Sequence, residues 1–356
     1  MHLKLIDHRK AAQALSAAVL AHQAGEVPLI VDARAPVANH VLRYPLPPGA
    51  AWAALTSGTT GAPKIVVRTK ASWQVAFKPL NDELGLRSGD GLWMPVHQVS
   101  SMALFSASWA QDSGLDLVIP TAEDPGLTCV GVAHVTPVWL ERLLEMLDAG
   151  VPSSLHTVLV GGDRVSEQLI CRAQARGLRV VSYAGAAELS LVAWDRGDGL
   201  QAFDGVRTRI VDGQLWVSSA QIALDVLGGS IHREVVAGVE WATVGDMVTQ
   251  DHGVLEFLGR TDGAILTAGA TVVPTDVEAV LNSHPDVWGS LVMGLPDAVL
   301  GQRVVAWVEG PADPIQLRGW VRSRLPKAAR PVQWHTLQHL PRTASGKIRR
   351  VIPEEL

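Results

Sequence analysis

LTSGTTGAPKIVV, residues 55–67, sets two glycines, four hydroxyl side chains, a proline and a lysine between apolar residues. Gly58 and Gly61 open backbone conformations closed to other residues. A stretch so poor in side-chain bulk lets backbone N–H groups approach a ligand closely. Thr56, Ser57, Thr59 and Thr60 add hydroxyl donors and Lys64 a charge, a set suited to phosphate oxygens. It is not a Walker A loop, which needs Gly-x-x-x-x-Gly-Lys-Ser/Thr, because Lys64 here follows a proline. A Ser/Thr/Gly surface turn is the plainer reading of such a composition, but the order of this nonapeptide favours phosphate.

Outward from the loop, short apolar runs alternate with helical patterns. Strands are expected at GLWMPV (91–96), LDLVIP (115–120), GVAHVTP (131–137), TVLVGGD (157–163) and LRVVSYAG (178–185). Helices are expected at 10–24, 137–150 and 166–177; the second opens on a proline, the third on Ser166, and both end at glycine. This alternation predicts an α/β fold with buried, mostly parallel strands. Near residue 206 the texture changes. VRTRIVDGQLWVSS (206–219) and MVTQDHGVLEFLGRTDGAIL (247–266) alternate around Asp-Gly and His-Gly, and predict antiparallel hairpins. From about 262 to 356, helices at 274–285 and 314–325 and strands at 289–296 and 303–310 predict a small α+β unit.

The bulk numbers narrow the function. The chain has 356 residues, enough for two domains. A net charge of −5 argues against nucleic acid as a partner. No apolar run reaches the roughly 18 residues of a membrane span, and the start lacks the apolar core of a secretory signal. Cys129 and Cys171 stand far apart, which argues against a disulfide framework or a zinc site and fits a reducing cytoplasm.

Two further stretches carry chemistry. LPRTASGKIRR (340–350) places Lys347 after a glycine; taken alone it reads as a basic tail. VGDMVTQDHGVLEFLGRTDGAI (244–265) places Asp246 and Arg260 on segments that a tight hairpin would bring together.

Taken in order, these segments resemble the adenylate-forming superfamily of acyl-CoA synthetases, peptide-synthetase adenylation domains and luciferases. TSGTTGAPK is similar to that family's phosphate loop. GD (245–246), GRTD (259–262), AGATVVPTDVE (268–278) and PRTASGK (341–347) match later signatures in the same order. PVH (95–97) resembles the segment with the histidine of the acyl pocket, and GGD (161–163) the segment behind the adenine. The resemblance spans roughly residues 51–350.

It implies a large N-terminal ATP- and acid-binding domain, 1–260, and a small rotating C-terminal domain, 262–356. It implies activation of a carboxylic acid with ATP and Mg2+ as an acyl-adenylate, then transfer to CoA. Thr56, Ser57, Gly58, Thr59, Thr60, Gly61 and Lys64 would hold phosphates, with Gly162 and Gly185 at the nucleotide. Lys347 would bridge the substrate carboxylate and the α-phosphate. Asp246 and Arg260 would hold the ribose, Glu188 would be catalytic and bind magnesium, and His97 would face the acid. Asp262 matches the hinge, and Gly269 the loop brought in on the CoA side for the second half-reaction.

Two departures qualify this. AGAAE (184–188) stands where the family has Tyr-Gly-x-Thr-Glu, so Ala184 and Ala187 replace the stacking aromatic and a threonine, and Tyr183 comes one residue early. On a strand, that shift turns Tyr183 to the other face. The loop also lies unusually near the start, so much of the family's N-terminal subdomain is expected to be absent. The o-succinylbenzoate-CoA ligases are similarly abbreviated, and o-succinylbenzoate is the leading expectation for the acid; another small or medium carboxylic acid is the alternative. Loading of a carrier-protein thiol, or a catalytically impaired nucleotide-binding homologue, are the competing functions. The sequence leaves a homodimer open.

Overall fold

In a computed structural model, the structure describes residues 3–8, 14–32, 41–57, 63–260, 263, 265–267, 270–297, 300–343 and 346–353. Its centre is a seven-stranded sheet. From one edge the strands are Gln201–Ala202, Ser190–Asp195, Arg179–Ala186, Thr157–Val160, Val132–Val135, Gly91–Trp93 and Asp116–Val118. The last five pair in parallel, while the hairpin of Arg179–Ala186 with Ser190–Asp195 is antiparallel. Val132–Val135 and Thr157–Val160 are buried throughout, as befits parallel strands covered on both faces.

Helices Ala71–Leu84, Ser101–Ser113, Pro137–Asp148 and Glu167–Ala175 accompany this sheet. Their ends follow local chemistry. Ser100 Oγ accepts from the Ala103 amide at 3.1 Å and Ser166 Oγ from the Leu169 amide at 3.2 Å. Gly85 and Gly114 close their helices in the left-handed region. The first two helices were not foreseen. Pro79 lies inside Ala71–Leu84 and argues against a helix in sequence. Ser101–Ser113 is buried on most sides, so it has no clean amphipathic stripe to read.

The expected hairpins are present. Arg207–Val211 pairs with Gln214–Ser218 and Asp246–Asp251 with Val254–Arg260, within one antiparallel sheet that also holds His232–Val236 and Val239–Thr243. Asp212-Gly213 and His252-Gly253 both have positive φ at the two turn positions, which matches the right-handed twist of the flanking strands. Ala237-Gly238 makes the same turn with a residue that rarely adopts it.

Trp52–Ser57 and Pro63–Arg68 form an antiparallel pair, extended by Asp225–Leu227. Gly58, Thr59, Thr60 and Gly61, the tip between these strands, lie outside the described residues. Leu3–Asp7 and Val27–Val31 form a separate parallel pair linked by helix Ala14–Gln23. From residue 265 onward, Ala270–Val272, Ile265–Thr267, Gly301–Glu309 and Gly289–Asp297 make a mixed sheet, with Gln333–Leu337 parallel to Gly301–Glu309. Helices Pro274–Asn282 and Pro314–Arg322 pack on it, around apolar clusters drawn from this part of the chain. Among the described residues, no helix is long and apolar enough to cross a membrane.

Candidate active site

The strand pair Trp52–Ser57 and Pro63–Arg68 is the stem of the glycine-rich loop, with Thr56 opposite Lys64 and Ser57 opposite Pro63. Leu55 bridges to Ser100, and the Ser100 amide donates to the His97 carbonyl at 2.9 Å. The stem therefore lies beside the segment that carries His97. His97 is half-buried, and its ring lies 4.9 Å, centroid to centroid, from that of His8. His8 in turn pairs with Asp32 at 3.7 Å. Candidate ligand atoms of the three residues fall within 4.8 Å of one another. A tetrahedral ion with bonds of about 2.0–2.1 Å needs ligand atoms about 3.3 Å apart, and His8 and Asp32 stand farther apart than that.

Arg68 ends the stem and is the residue that sequence reasoning missed. It is 1% exposed. Its Nε donates to the Ala187 carbonyl at 3.1 Å, with a second bond from Nη2 to the same oxygen. Its Nη1 donates to the Gln221 carbonyl at 2.5 Å and to Ser72 Oγ at 3.5 Å. Burial pushes the guanidinium down to about 9, and the charge of Glu188 pulls it back up. Arg68 thus joins the stem to the turn bearing Glu188 and to the segment at 221. The same knot includes Ala223 N–H donating to the Glu188 carbonyl at 2.7 Å and Leu224 N–H donating to the Val67 carbonyl at 2.8 Å. An arginine inside the apolar run KIVVRT was the available signal.

Glu188 sits half-buried in the turn joining Arg179–Ala186 to Ser190–Asp195. A single carboxylate is a donor set that fits magnesium, which keeps waters and substrate phosphates as its other ligands. Gly185 precedes this turn where only glycine fits: a Cβ there would lie 2.0 Å from the Ser190 carbonyl oxygen.

Tyr183 lies one residue before Ala184 on its strand and turns toward His134 and Gly161. Its hydroxyl and His134 Nε2 are hydrogen-bonded at 2.9 Å, and His134 Nδ1 lies 2.7 Å from Ser106 Oγ. Burial pushes His134 down to about 3 and the Tyr183 phenol up. The tyrosine ring fills the space over Gly161, where a Cβ would lie 2.1 Å from its Cζ.

Gly162 lies beside Lys347, from far along the chain. With φ +92°, a Cβ on it would lie 3.3 Å from Met102 Cε, 3.5 Å from Thr136 Cγ2 and 3.7 Å from Lys347 Cε. Thr136 is 4% exposed, and its Oγ1 has no hydrogen-bond partner among the described residues. Gly346 faces Val138, at the start of helix Pro137–Asp148. Lys347 itself is exposed. Asp246 and Arg260 are register partners across their hairpin, the juxtaposition expected for them. Asp262 and Gly269 lie outside the described residues.

The arrangement brings a cationic side chain from the C-terminal part to a glycine turn at the carboxyl ends of parallel strands. Such strand ends are where α/β sheets bind ligands. Two family models match the chain: AMP-binding enzyme over residues 5–223, and AMP-binding enzyme C-terminal domain over residues 276–347. The chain is 32% identical over 318 residues to a probable 2-succinylbenzoate–CoA ligase of Mycobacterium tuberculosis, covering 83% of this chain and 81% of that protein. It is 30% identical over 301 residues to the 2-succinylbenzoate–CoA ligase of Salmonella typhimurium, covering 80% of this chain and 64% of that protein. Its fold is similar to that of the o-succinylbenzoate CoA synthetase from Bacillus subtilis in complex with the acyl-adenylate intermediate OSB-AMP. There the TM-score is 0.79 at 19% identity, covering 98% of this chain and 86% of that one.

Proposed function

The chain belongs to the AMP-binding enzyme family, and we propose that it is an ATP-dependent acid–CoA ligase acting on 2-succinylbenzoate. The observation that carries the reading is Lys347, held against Gly162 from the other end of the chain. Named relatives with the same activity supply the acid. The working division is an ATP- and acid-binding part, 1–260, and a C-terminal part, 262–356.

The first half-reaction joins two anions. A carboxylate oxygen of the acid attacks the α-phosphorus of ATP, and pyrophosphate leaves with the electron pair of the broken P–O bond. Charge grows on the α-phosphate and spreads to the leaving group. Lys347 meets that charge as a compact cation on a flexible stem, bridging carboxylate and α-phosphate. Backbone amides and hydroxyls of 56–61, with Lys64, hold the β- and γ-phosphates. Asp246 accepts from the ribose hydroxyls and Arg260 assists beside it. The Gly162 turn lies behind the adenine, where the Thr136 hydroxyl is available to a bound nucleotide.

Glu188 would hold magnesium, which neutralises phosphate charge when bound. The Arg68 bonds keep the Glu188 turn at a fixed distance from the phosphate-loop stem. His97 faces the acid from the neighbouring segment.

In the second half-reaction the thiol sulfur of CoA attacks the acyl carbon, loses its proton, and expels AMP. Lys347 leaves the site by rotation about Asp262, and the Gly269 loop enters on the CoA side.

The test is incubation with ATP, magnesium and 2-succinylbenzoate, with and without CoA, read by mass spectrometry. Acyl-CoA formed only with CoA is the expected result. Acyl-adenylate that accumulates without transfer to CoA would replace CoA with a carrier-protein thiol. No AMP from this or any of a panel of acids would defeat the ligase reading.

A further inference from the structure

We propose that Glu278 and Glu309 are positioning residues that clamp the Lys347 loop at both ends, through Arg350 and Arg342, and so set the lysine for adenylation. The inference rests on the ligase reading above and goes beyond it. It assigns work to Glu278 and Arg342, which lie inside two of the matched signatures without a role there, and to Glu309 and Arg350, which lie outside them.

The loop needs outside support. Thr-Ala-Ser-Gly (343–346) carries little side chain to pack. Its described residues bond to one another. The Thr343 amide donates to the Lys347 carbonyl at 2.7 Å, the Lys347 amide to Thr343 Oγ1 at 3.2 Å, and the Gly346 amide to the Thr343 carbonyl at 2.9 Å. Arg342 and Ile348 bridge across its base. These bonds shape the loop but do not aim it.

The two arginines aim it. On the entering side, Arg342 Nη2 donates to Glu309 Oε2 at 2.9 Å, and the Leu340 amide donates to the same oxygen at 3.1 Å. Arg342 Nη1 also donates to the Gly346 carbonyl at 3.3 Å, so one guanidinium ties the loop to Glu309. On the leaving side, Arg350 grips Glu278 with both arms, Nη1 to Oε1 at 3.1 Å and Nη2 to Oε2 at 2.7 Å. The Val292 amide donates to Glu278 Oε1 at 2.8 Å, and Arg350 Nη1 donates to the Val292 carbonyl at 3.3 Å.

The carboxylates stand on rigid elements. Glu278 belongs to helix Pro274–Asn282, Val292 to strand Gly289–Asp297 and Glu309 to strand Gly301–Glu309. Their side chains are only 13% and 10% exposed. Exposed ion pairs hold little. Here each carboxylate is nearly buried and also takes a backbone amide bond, and the Arg350–Glu278 pair is forked, so the geometry is fixed and a carboxylate that lost its arginine would be left underpaired. Burial pushes the Glu278 carboxyl up against the pull of Arg350. Burial also pushes Glu309 up, but the Leu340 amide and Arg342 outweigh it and leave that carboxyl below its ordinary value.

The clamp faces one half-reaction. The loop it holds delivers Lys347 to Gly162 and sets Gly346 beside Val138. In the ligase reading, transfer to CoA uses the Gly269 loop in place of Lys347. A misplacement of about 1 Å at a reacting group costs about 100-fold.

Glu278→Gln and Glu309→Gln keep shape and remove charge. Each variant and the wild type are assayed for acid-dependent ATP–pyrophosphate exchange, and for thioester formation from supplied acyl-adenylate and CoA. The expected result is exchange lowered by about 100-fold with transfer essentially unchanged. Transfer also monitors folding, since it needs the same C-terminal part. Equal loss in both assays means that the carboxylates serve general stability, and no loss in either means that they hold nothing; each overturns the proposal. Amide hydrogen exchange by mass spectrometry gives a readout independent of the acid. In both variants, faster exchange confined to the 340–350 segment is expected. Protection unchanged there, or lost across the whole C-terminal part, overturns the clamp. Absence of wild-type exchange activity would count against the ligase reading alone, and the hydrogen-exchange result would still decide the clamp.

Discussion

Lys347 Cε lies 3.7 Å from the point where a side chain on Gly162 would begin. Two segments far apart in sequence meet there, and the space between them is just that left by a missing Cβ. Gly162→Ala would put a methyl group against Met102, Thr136 and Lys347, at a φ of +92° that costs an L-residue about 1–2 kcal/mol. The expected outcome is a lower melting temperature together with slower pyrophosphate exchange. Lys347→Ala removes an exposed side chain, so its melting temperature should stay at the wild-type value. Its exchange should fall by about 100- to 1,000-fold, the loss seen when a donor to developing transition-state charge is removed. Calorimetry and exchange assays on the two variants check both statements.

Arg68→Lys tests the knot under the Glu188 turn. Lysine keeps the charge but cannot reach the Ala187 and Gln221 carbonyls together, so at least one buried acceptor loses its donor. The expected cost is about 1–3 kcal/mol in denaturant unfolding. Loosening the turn should also weaken ATP binding, measured by calorimetry in the presence of magnesium. Affinity for ATP equal to that of the wild type would mean that the arginine supports the fold and nothing more.

Tyr183→Phe separates the two readings of that aromatic. It deletes the hydroxyl bonded to His134 Nε2 at 2.9 Å and leaves a buried ring nitrogen without its partner. Stability should fall by about 1–3 kcal/mol, with the KM for ATP unchanged, because the ring packs over Gly161 inside the sheet. A raised KM at unchanged stability would place the tyrosine at the nucleotide instead.

His134 makes stability depend on pH. Its folded-state value lies near 3, below the ordinary 6.5 of a histidine, because burial disfavours the charged ring. The unfolded chain therefore binds a proton below pH 6.5 that the folded chain refuses. The contribution is complete above pH 6.5 and is lost progressively as pH falls toward 3, amounting to roughly 2 kcal/mol at pH 5. Urea unfolding at pH 7 and pH 5 should show this loss, and His134→Gln should flatten the difference between the two.

The order of the signatures along the chain, from 56–64 through 188, 246 and 260 to 347, was legible without coordinates. So were the α/β alternation and the hairpins at Asp212-Gly213 and His252-Gly253. These are local properties: glycine where the backbone must turn, hydroxyls and a lysine where phosphate must be met, apolar runs at a period of two. The offset of Tyr183 from the family position was legible too, and side chains alternate along a strand. Tertiary structure alone decided the rest. Helix Ser101–Ser113 hid its period because it is buried on most sides, and helix Ala71–Leu84 carries a proline that argues against it. Arg68 looked like any strand-end charge until folding placed the Ala187 and Gln221 carbonyls around it. The pairing of Glu278 with Arg350 and of Glu309 with Arg342 had no sign in the sequence until the small sheet brought them together. The physical reason is the same each time. A side chain's chemistry is written at its own position, but desolvation and partnership come from residues that only the fold brings near.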